Sequence, residues 1–577
     1  MIRIIALLGA VAMLTACEAP APESAADLVL RNGKIVTVDE QRPEAQAVAI
    51  AGSTILAVGS DAEIERFVGS STRVIDLDGR LAVPGFIEGH GHFMGLGEAK
   101  LILDLTKASS WDDIVAMVGA AARDAGPGQW IAGRGWHQEK WSRPPAQTVD
   151  GVPLHPELSR VSPNNPVLLE HASGHASFVN AKAMEVAGIT ARTPNPQGGE
   201  IVKDAAGQPT GLLRETAQRL ASAVFDSTRA SRSAEEIDGE RRRMVELAGA
   251  EALAKGITSF HDAGSDFETI DFFKLLEGEG NLPIRLYVMV RRETNEEMAA
   301  KLPQYRMVAE GDDYLAVRSI KRQIDGALGS HGAWLLEPYV DLETSTGLTL
   351  ETPEDIEGTA RIAIQHGFQL NTHAIGDRAN REVLNIYERV VRENADKTDL
   401  RWRIEHAQHL HPADVSRFKT LGVIAAMQGV HATSDAPWIP RRLGDERART
   451  GAYVWRDLLD AGVIIANGTD VPVEDIDPIA SFYSTVSRRT SDGSVFYPDQ
   501  RLTREEALRT YTLNNAFAAF EDGLKGSISP GKLADIVILS QDILTIPEEQ
   551  IPATRVDYTI LGGRVRYERN GSGLATR

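Results

Sequence analysis

Between residues 81 and 470 one pattern recurs eight times, and it constrains the fold more than any other feature of the chain. Short apolar runs, LAVPGF from Leu81, ITSFHD from Ile257, IRLYVMV from Ile284, SIKRQI from Ser319, FQLNTHA from Phe368, RWRIEHA from Arg401, VIAAMQ from Val423 and VIIANGTD from Val463, alternate with stretches of helical period. Two of the clearest helices are Arg241 to Lys255, closing at Gly256, and Pro353 to His366, closing at Gly367. Strands this apolar are buried on both faces, which in a parallel sheet requires helical crossovers. Eight such units predict an α/β fold, a (β/α)8 barrel over residues 81–519, with reactive groups at the C-terminal ends of its strands.

Those ends carry the donors. The first run leads into His90 and His92, whose side chains leave an extended strand in the same direction. Lys321 lies in the fourth run, His373 ends the fifth, His406 the sixth and Asp470 the eighth. Four histidines and a carboxylate at strand ends are the nitrogen and oxygen donors a zinc-type ion prefers. His366 and His409 read instead as packing residues, at a helix terminus and in a neighbouring loop.

Around the barrel, residues 27–80 read as short alternating strands punctuated by Asn-Gly and Gly, and the same composition returns in 520–577. The expectation is a small β-sandwich built from both termini. A long insertion, 101–235, leaves the barrel's catalytic face after the first strand and suggests a substrate lid. Trp136, Trp141 and His175 are its pocket candidates, joined by Glu215, Asp325 and Gln428, and aromatic lining favours a small molecule with an apolar or aromatic portion. The bland alternative is that the tryptophans pack the insertion's own core.

The first residues carry one charge at Arg3, an apolar run from Ile4 to Leu14, and then Leu14-Thr15-Ala16-Cys17. This reads as a lipoprotein signal peptide (1–17) followed by a Pro/Ala tether (18–26), with a membrane attachment through lipid on Cys17 at a bacterial cell envelope, facing the periplasm. Cys17 is the only cysteine, so the mature fold has no disulfide and no thiol ligand. A net charge of -20, from 61 basic and 81 acidic residues, argues against nucleic-acid binding. The run Arg241 to Arg243 reads as a solvated helix face. Oligomeric state is left open, a homo-oligomer being allowed.

VPGFIEGHGH, SIKRQIDGALGS, NTHAIGDRAN, RIEHAQHL and NGTDVP together resemble the amidohydrolase superfamily, and within it the amidohydrolase-3 branch that includes N-substituted formamide deformylases. The resemblance runs over nearly the whole mature chain. It implies one or two divalent ions, zinc foremost, with His90 and His92 on the more buried ion, His373 and His406 on the more exposed one, and Asp470 touching metal and water. Lys321 matches a position where family members often carry an N6-carboxylysine bridging two ions; the alternative is an unmodified lysine paired with Asp325 and a single ion. Such a site acidifies bound water and polarises a carbonyl. Asp470 then serves as base and acid in hydrolysis of an amide-type C–N bond. A lactonase, esterase or cyclic-amide hydrolase on the same site, and a non-catalytic metal- or solute-binding lipoprotein, are the rival readings. Departures from the family pattern are Glu88, Ser330-His331-Gly332, and Gly376 where deaminases often place a glutamate.

Overall fold

The computed structural model describes residues 25–570 apart from 144, 150, 311 and 312. Cys17, the signal peptide and the tether up to residue 24 lie outside the described residues, and no helix among those described is long and apolar enough to cross a membrane.

Eight parallel strands follow one another in chain order around a barrel: β1 (Phe86–Gly91), β2 (Ile257–Ser265), β3 (Arg285–Val290), β4 (Leu315–Gln323), β5 (Gln369–Ala374), β6 (Arg403–His406), β7 (Ile424–Gln428) and β8 (Ile465–Gly468). Each is almost wholly buried, as strands between a filled interior and a helical shell must be. β8 meets β1 through a side chain. The Asn515 amide donates to the carbonyls of Ile87 and Asn467 at 2.6 and 2.7 Å and accepts the Asn467 N–H at 3.0 Å. Just above, Asp470 N–H donates to His90 O and His92 N–H to Val471 O, at 2.8 and 2.7 Å.

The expected first barrel strand requires correction. Leu81–Pro84 is not in the barrel: it lies between Lys34–Val36 and Ile536–Leu539 in the six-stranded terminal sheet, and the barrel strand starts at Phe86. The hinge is Gly85, whose N–H donates to Asp535 O and where a Cβ would lie 2.3 Å from Thr258 Oγ1. An apolar run of one character thus serves two sheets, and only the Pro-Gly break marks the change.

A second sheet of four strands, all from the first segment, packs on the mixed six-stranded one through Leu28, Leu30, Val48, Ile50 and Ile75 against Ile536, Ile538, Tyr558 and Ile560. The insertion forms its own six-stranded sheet, Leu103–Asp104 through Pro209–Glu215, with two apolar clusters of its own. The helix around Arg241 starts earlier than its apolar period suggests. It spans Ala234–Ala254 because Ser233 and Glu236 form a capping box, and Arg241, Arg242 and Arg243 pair with Glu268, Asp238 and Glu246 on its solvated side.

Candidate metal centre

At the C-terminal mouth of the barrel, His90, His406 and Asp470 bring one donor atom each to within 4.8 Å of one another, all buried. Asp470 Oδ1 lies 3.4 Å from His90 Nε2 and 3.2 Å from His92 Nε2. Lys321 Nζ, 2 % exposed, is 3.4 Å from His90 Nε2. The His373 ring stands against His406, centroids 4.4 Å apart, and the His406 ring against His90 at 4.7 Å. All six sequence-derived ligand candidates therefore converge on one region, with His90, His406 and Asp470 tightest and His92, Lys321 and His373 around them.

The backbone is bent to make this convergence. His406 and Asp470 have φ of 75° and 57°, as do Ala407 and Glu215 at 44° and 50°. Non-glycine residues in the left-handed region cost roughly 1–3 kcal/mol each and concentrate at functional sites.

His373 Nε2 and Asp470 Oδ1 are buried with no hydrogen-bond partner. Buried orphan donors and acceptors are rare unless something else satisfies them, and a bare carboxylate oxygen beside His90 and His406, with a bare histidine nitrogen in the same region, is the chemistry a divalent ion fits. Burial tends to raise the Asp470 carboxyl, but His90, His92 and His406 hold it well below the usual range, so it stays an anion. Burial lowers the Lys321 amine to about 7. Lys321 is not paired with Asp325: that carboxylate, fully buried, accepts N–H groups from Trp334, Ile375 and Gly376 at 2.8 to 3.0 Å and lies 3.6 Å from His373 Nε2.

Two residues the sequence reading passed over hold the centre from below. Glu405 Oε2 bonds His90 Nδ1 and accepts Arg403 Nη2 at 3.0 Å, while Arg403 Nε stands 2.6 Å from Glu405 Oε1 in an ion pair. Arg403 also donates to Gly89 O at 2.7 Å. Burial by itself raises the Glu405 carboxyl, and Arg403 and His90 outweigh it, keeping the group ionised. A carboxylate on Nδ1 fixes the ring so that Nε2 presents its lone pair to the centre. The available signal was alternation: Arg403 and Glu405 are charges on one face of an otherwise apolar strand, and buried charges come paired.

The pocket candidates divide. His175 and Glu215 reach the site from the insertion. His175 Nδ1 bonds Glu215 Oε2 at 2.7 Å and its ring lies 5.5 Å from that of His373. Ser330 donates to Glu215 Oε1 at 3.2 Å, and Gly326 and Gly332 clear the space around that carboxylate, since a Cβ on either would lie 2.3 Å from it. The other four, Trp136, Trp141, Gln428 and Asp325, make contacts of another kind. Trp136, 2 % exposed, gives its indole N–H to Leu169 O and packs with Trp141 in the insertion's core, large aromatic area being buried wherever it sits. Gln428 is fully buried, with Oε1 on His406 Nδ1 at 2.9 Å, so it orients a ligand candidate. Asp325 ties the loop after β4 to the loop after β5 by accepting the N–H of Trp334 from the first and those of Ile375 and Gly376 from the second. His409, 2 % exposed with neither ring nitrogen partnered, is a packing residue.

Comparison with known proteins agrees with this geometry. The profile described as "Amidohydrolase family" matches residues 73–567. "Protein LONG AFTER FAR-RED 3" of Arabidopsis thaliana is 34 % identical over 94 % of this chain and 92 % of its own length. The "N-substituted formamide deformylase" of Arthrobacter pascens is 29 % identical over 95 % of this chain and 99 % of its own. A crystal structure of an uncharacterized metal-dependent hydrolase from Pyrococcus horikoshii superposes with a TM-score of 0.71 at 25 % identity, covering 90 % of this chain and 99 % of that one.

Proposed function

The chain belongs to the amidohydrolase family and is a metal-dependent amidohydrolase, and from that premise we propose that it cleaves the amide-type C–N bond of a small N-acyl or formamide-like molecule. The observation that carries the reading is Asp470: an ionised carboxylate with one oxygen bare, 3.2 and 3.4 Å from two histidine nitrogens, at the mouth of a barrel. The similarity to a formamide deformylase supports the bond type.

His90, His92, His373, His406, Lys321 and Asp470 would hold one or two divalent ions, zinc foremost. When bound, such an ion polarises a carbonyl and acidifies water. Asp470 takes a proton from the attacking water and returns it to the departing nitrogen, the two halves of general base and acid catalysis. Gln428 and Glu405 keep the rings of His406 and His90 in one orientation throughout. Lys321 is proposed as a carbamate: its neutral amine adds to carbon dioxide and loses one proton, and burial supplies the neutral amine near pH 7. A lipid on Cys17 is proposed to hold the enzyme at the cell envelope; loss of membrane association in Cys17→Ser tests it.

Asp470→Asn tests the central role. We expect turnover of a panel of small formamides and N-acyl amines to fall by about three orders of magnitude or more, a large loss of general base and electrostatic catalysis, while elemental analysis finds most of the metal retained. Retained turnover overturns the assignment of Asp470. Intact mass under bicarbonate, higher by one carbon dioxide in the wild type and not in Lys321→Ala, tests the carbamate.

A further inference from the structure

Arg291 directly follows β3. In the parallel ladder of β3 and β4, Met289 lies opposite Ser319 and Val290 opposite Ile320. Arg291 therefore continues that register level with Lys321, and residues level with each other on neighbouring strands leave the same face. Its Nη2 donates to Gln323 Oε1 at 2.6 Å, and Gln323 stands two residues beyond Lys321, on that face again. Space for this arginine is built in: Gly264, at φ 132°, would with a Cβ come within 2.4 Å of Arg291 Cδ.

The guanidinium is half-buried, and among the described residues no carboxylate forms an ion pair with it. Asp470, Glu351 and Asp262 act on it at longer range, and it acts in turn on Lys321 and His92. Arg403, Arg285 and Arg442 are neutralised directly, by Glu405, Asp535 and Asp341, whereas the buried Arg488 gives its N–H groups to the carbonyls of Phe496 and Tyr453; among the described residues Arg291 has neither a carboxylate nor a backbone carbonyl, only the Gln323 amide oxygen. A partly desolvated guanidinium without a counter-ion is costly, and a planar fork of donors suits a carboxylate. This one stands at the strand ends where a substrate has to enter.

We propose that Arg291 recognises a carboxylate next to the metal centre, carried by the substrate, so that the preferred substrate is an N-acylated molecule with an acidic group. The inference rests on reading the site as a C–N hydrolase. The same chemistry has a second source, the carbamate on Lys321, and the experiment separates the two.

The probes are N-formylphenylalanine, in both enantiomers, and N-formylphenethylamine, which lacks only the carboxylate. Their binding to the metal-loaded protein is measured by calorimetry in the wild type, Arg291→Gln and Arg291→Lys, each checked for fold by circular dichroism. We expect the wild type to bind one enantiomer of the acid at least about tenfold tighter than the neutral probe, about the value of one charge-assisted contact. Arg291→Gln abolishes the difference and Arg291→Lys keeps part of it. Equal binding of acid and neutral probe by the wild type, or a preference that survives in Arg291→Gln, overturns the proposal. So does an Arg291→Gln protein that loses metal and the carbamate mass while its probe preference stands, since the guanidinium then serves Lys321. Binding is read without turnover, so failure to hydrolyse either probe counts against the C–N hydrolase reading and leaves the charge preference to be judged by itself.

Discussion

A single carboxylate decides how His90 faces the centre. Glu405 receives His90 Nδ1 while Arg403 neutralises it from two nitrogens. Glu405→Gln is expected to weaken metal affinity about 10–100-fold, the usual effect of losing such a partner, as measured by chelator competition. Because the substitution leaves Arg403 buried without its counter-ion, the double variant Arg403→Met with Glu405→Gln is the control. It should fold and still bind metal weakly. His409 makes a second prediction. Burial takes its ring from an ordinary 6.5 to about 3, so it is neutral in the fold and protonates only on unfolding. Its contribution to stability is complete above about pH 6.5 and is lost as pH falls from there toward about 3, at up to about 1.4 kcal/mol per unit. The melting temperature of the wild type should fall relative to that of His409→Leu as the medium is acidified from about pH 6.5; an unchanged difference would mean that the ring titrates alike in the folded and unfolded states.

At the level of strands and loops, the convergence of the candidate ligands was legible because histidines at the ends of apolar runs have few other uses. His90, His92, His373, His406, Lys321 and Asp470 all arrive where the strand reading put them. The supporting residues were not legible. Whether Gln428 faces a substrate or a histidine depends on the twist of β7 against β6, and whether Trp136 lines a pocket depends on what Leu169 O does; neither is a local property. The same holds for Leu81–Pro84, whose apolar character suits either sheet. Asn515 shows what long-range contacts add, since three hydrogen bonds from one amide join β8 to β1. Asn515→Leu leaves buried backbone groups unpaired, at about 1–3 kcal/mol for each group stranded. The midpoint of urea unfolding should fall accordingly, with metal content reduced because β1 carries His90 and Asp470 follows closely on β8.

For the molecule as a whole, the barrel and the insertion were readable from composition and period, while the manner in which the ends close on each other was only half so. The terminal sheet interleaves the two ends: Lys34–Val36, then Leu81–Pro84, then Ile536–Leu539 and Val556–Leu561. A chain cut before Ile528 should therefore give little soluble protein, even though the eight barrel strands remain, and any that is soluble should be digested rapidly by trypsin. The interleaving also sets a schedule. A ribosome releases Lys34–Val36 and Leu81–Pro84 hundreds of residues before Ile536–Leu539, so Leu81–Pro84 waits with one edge open through nearly the whole of synthesis. Completion of that sheet therefore waits for residues 536–561, and a chain interrupted before them leaves one strand edge unpaired.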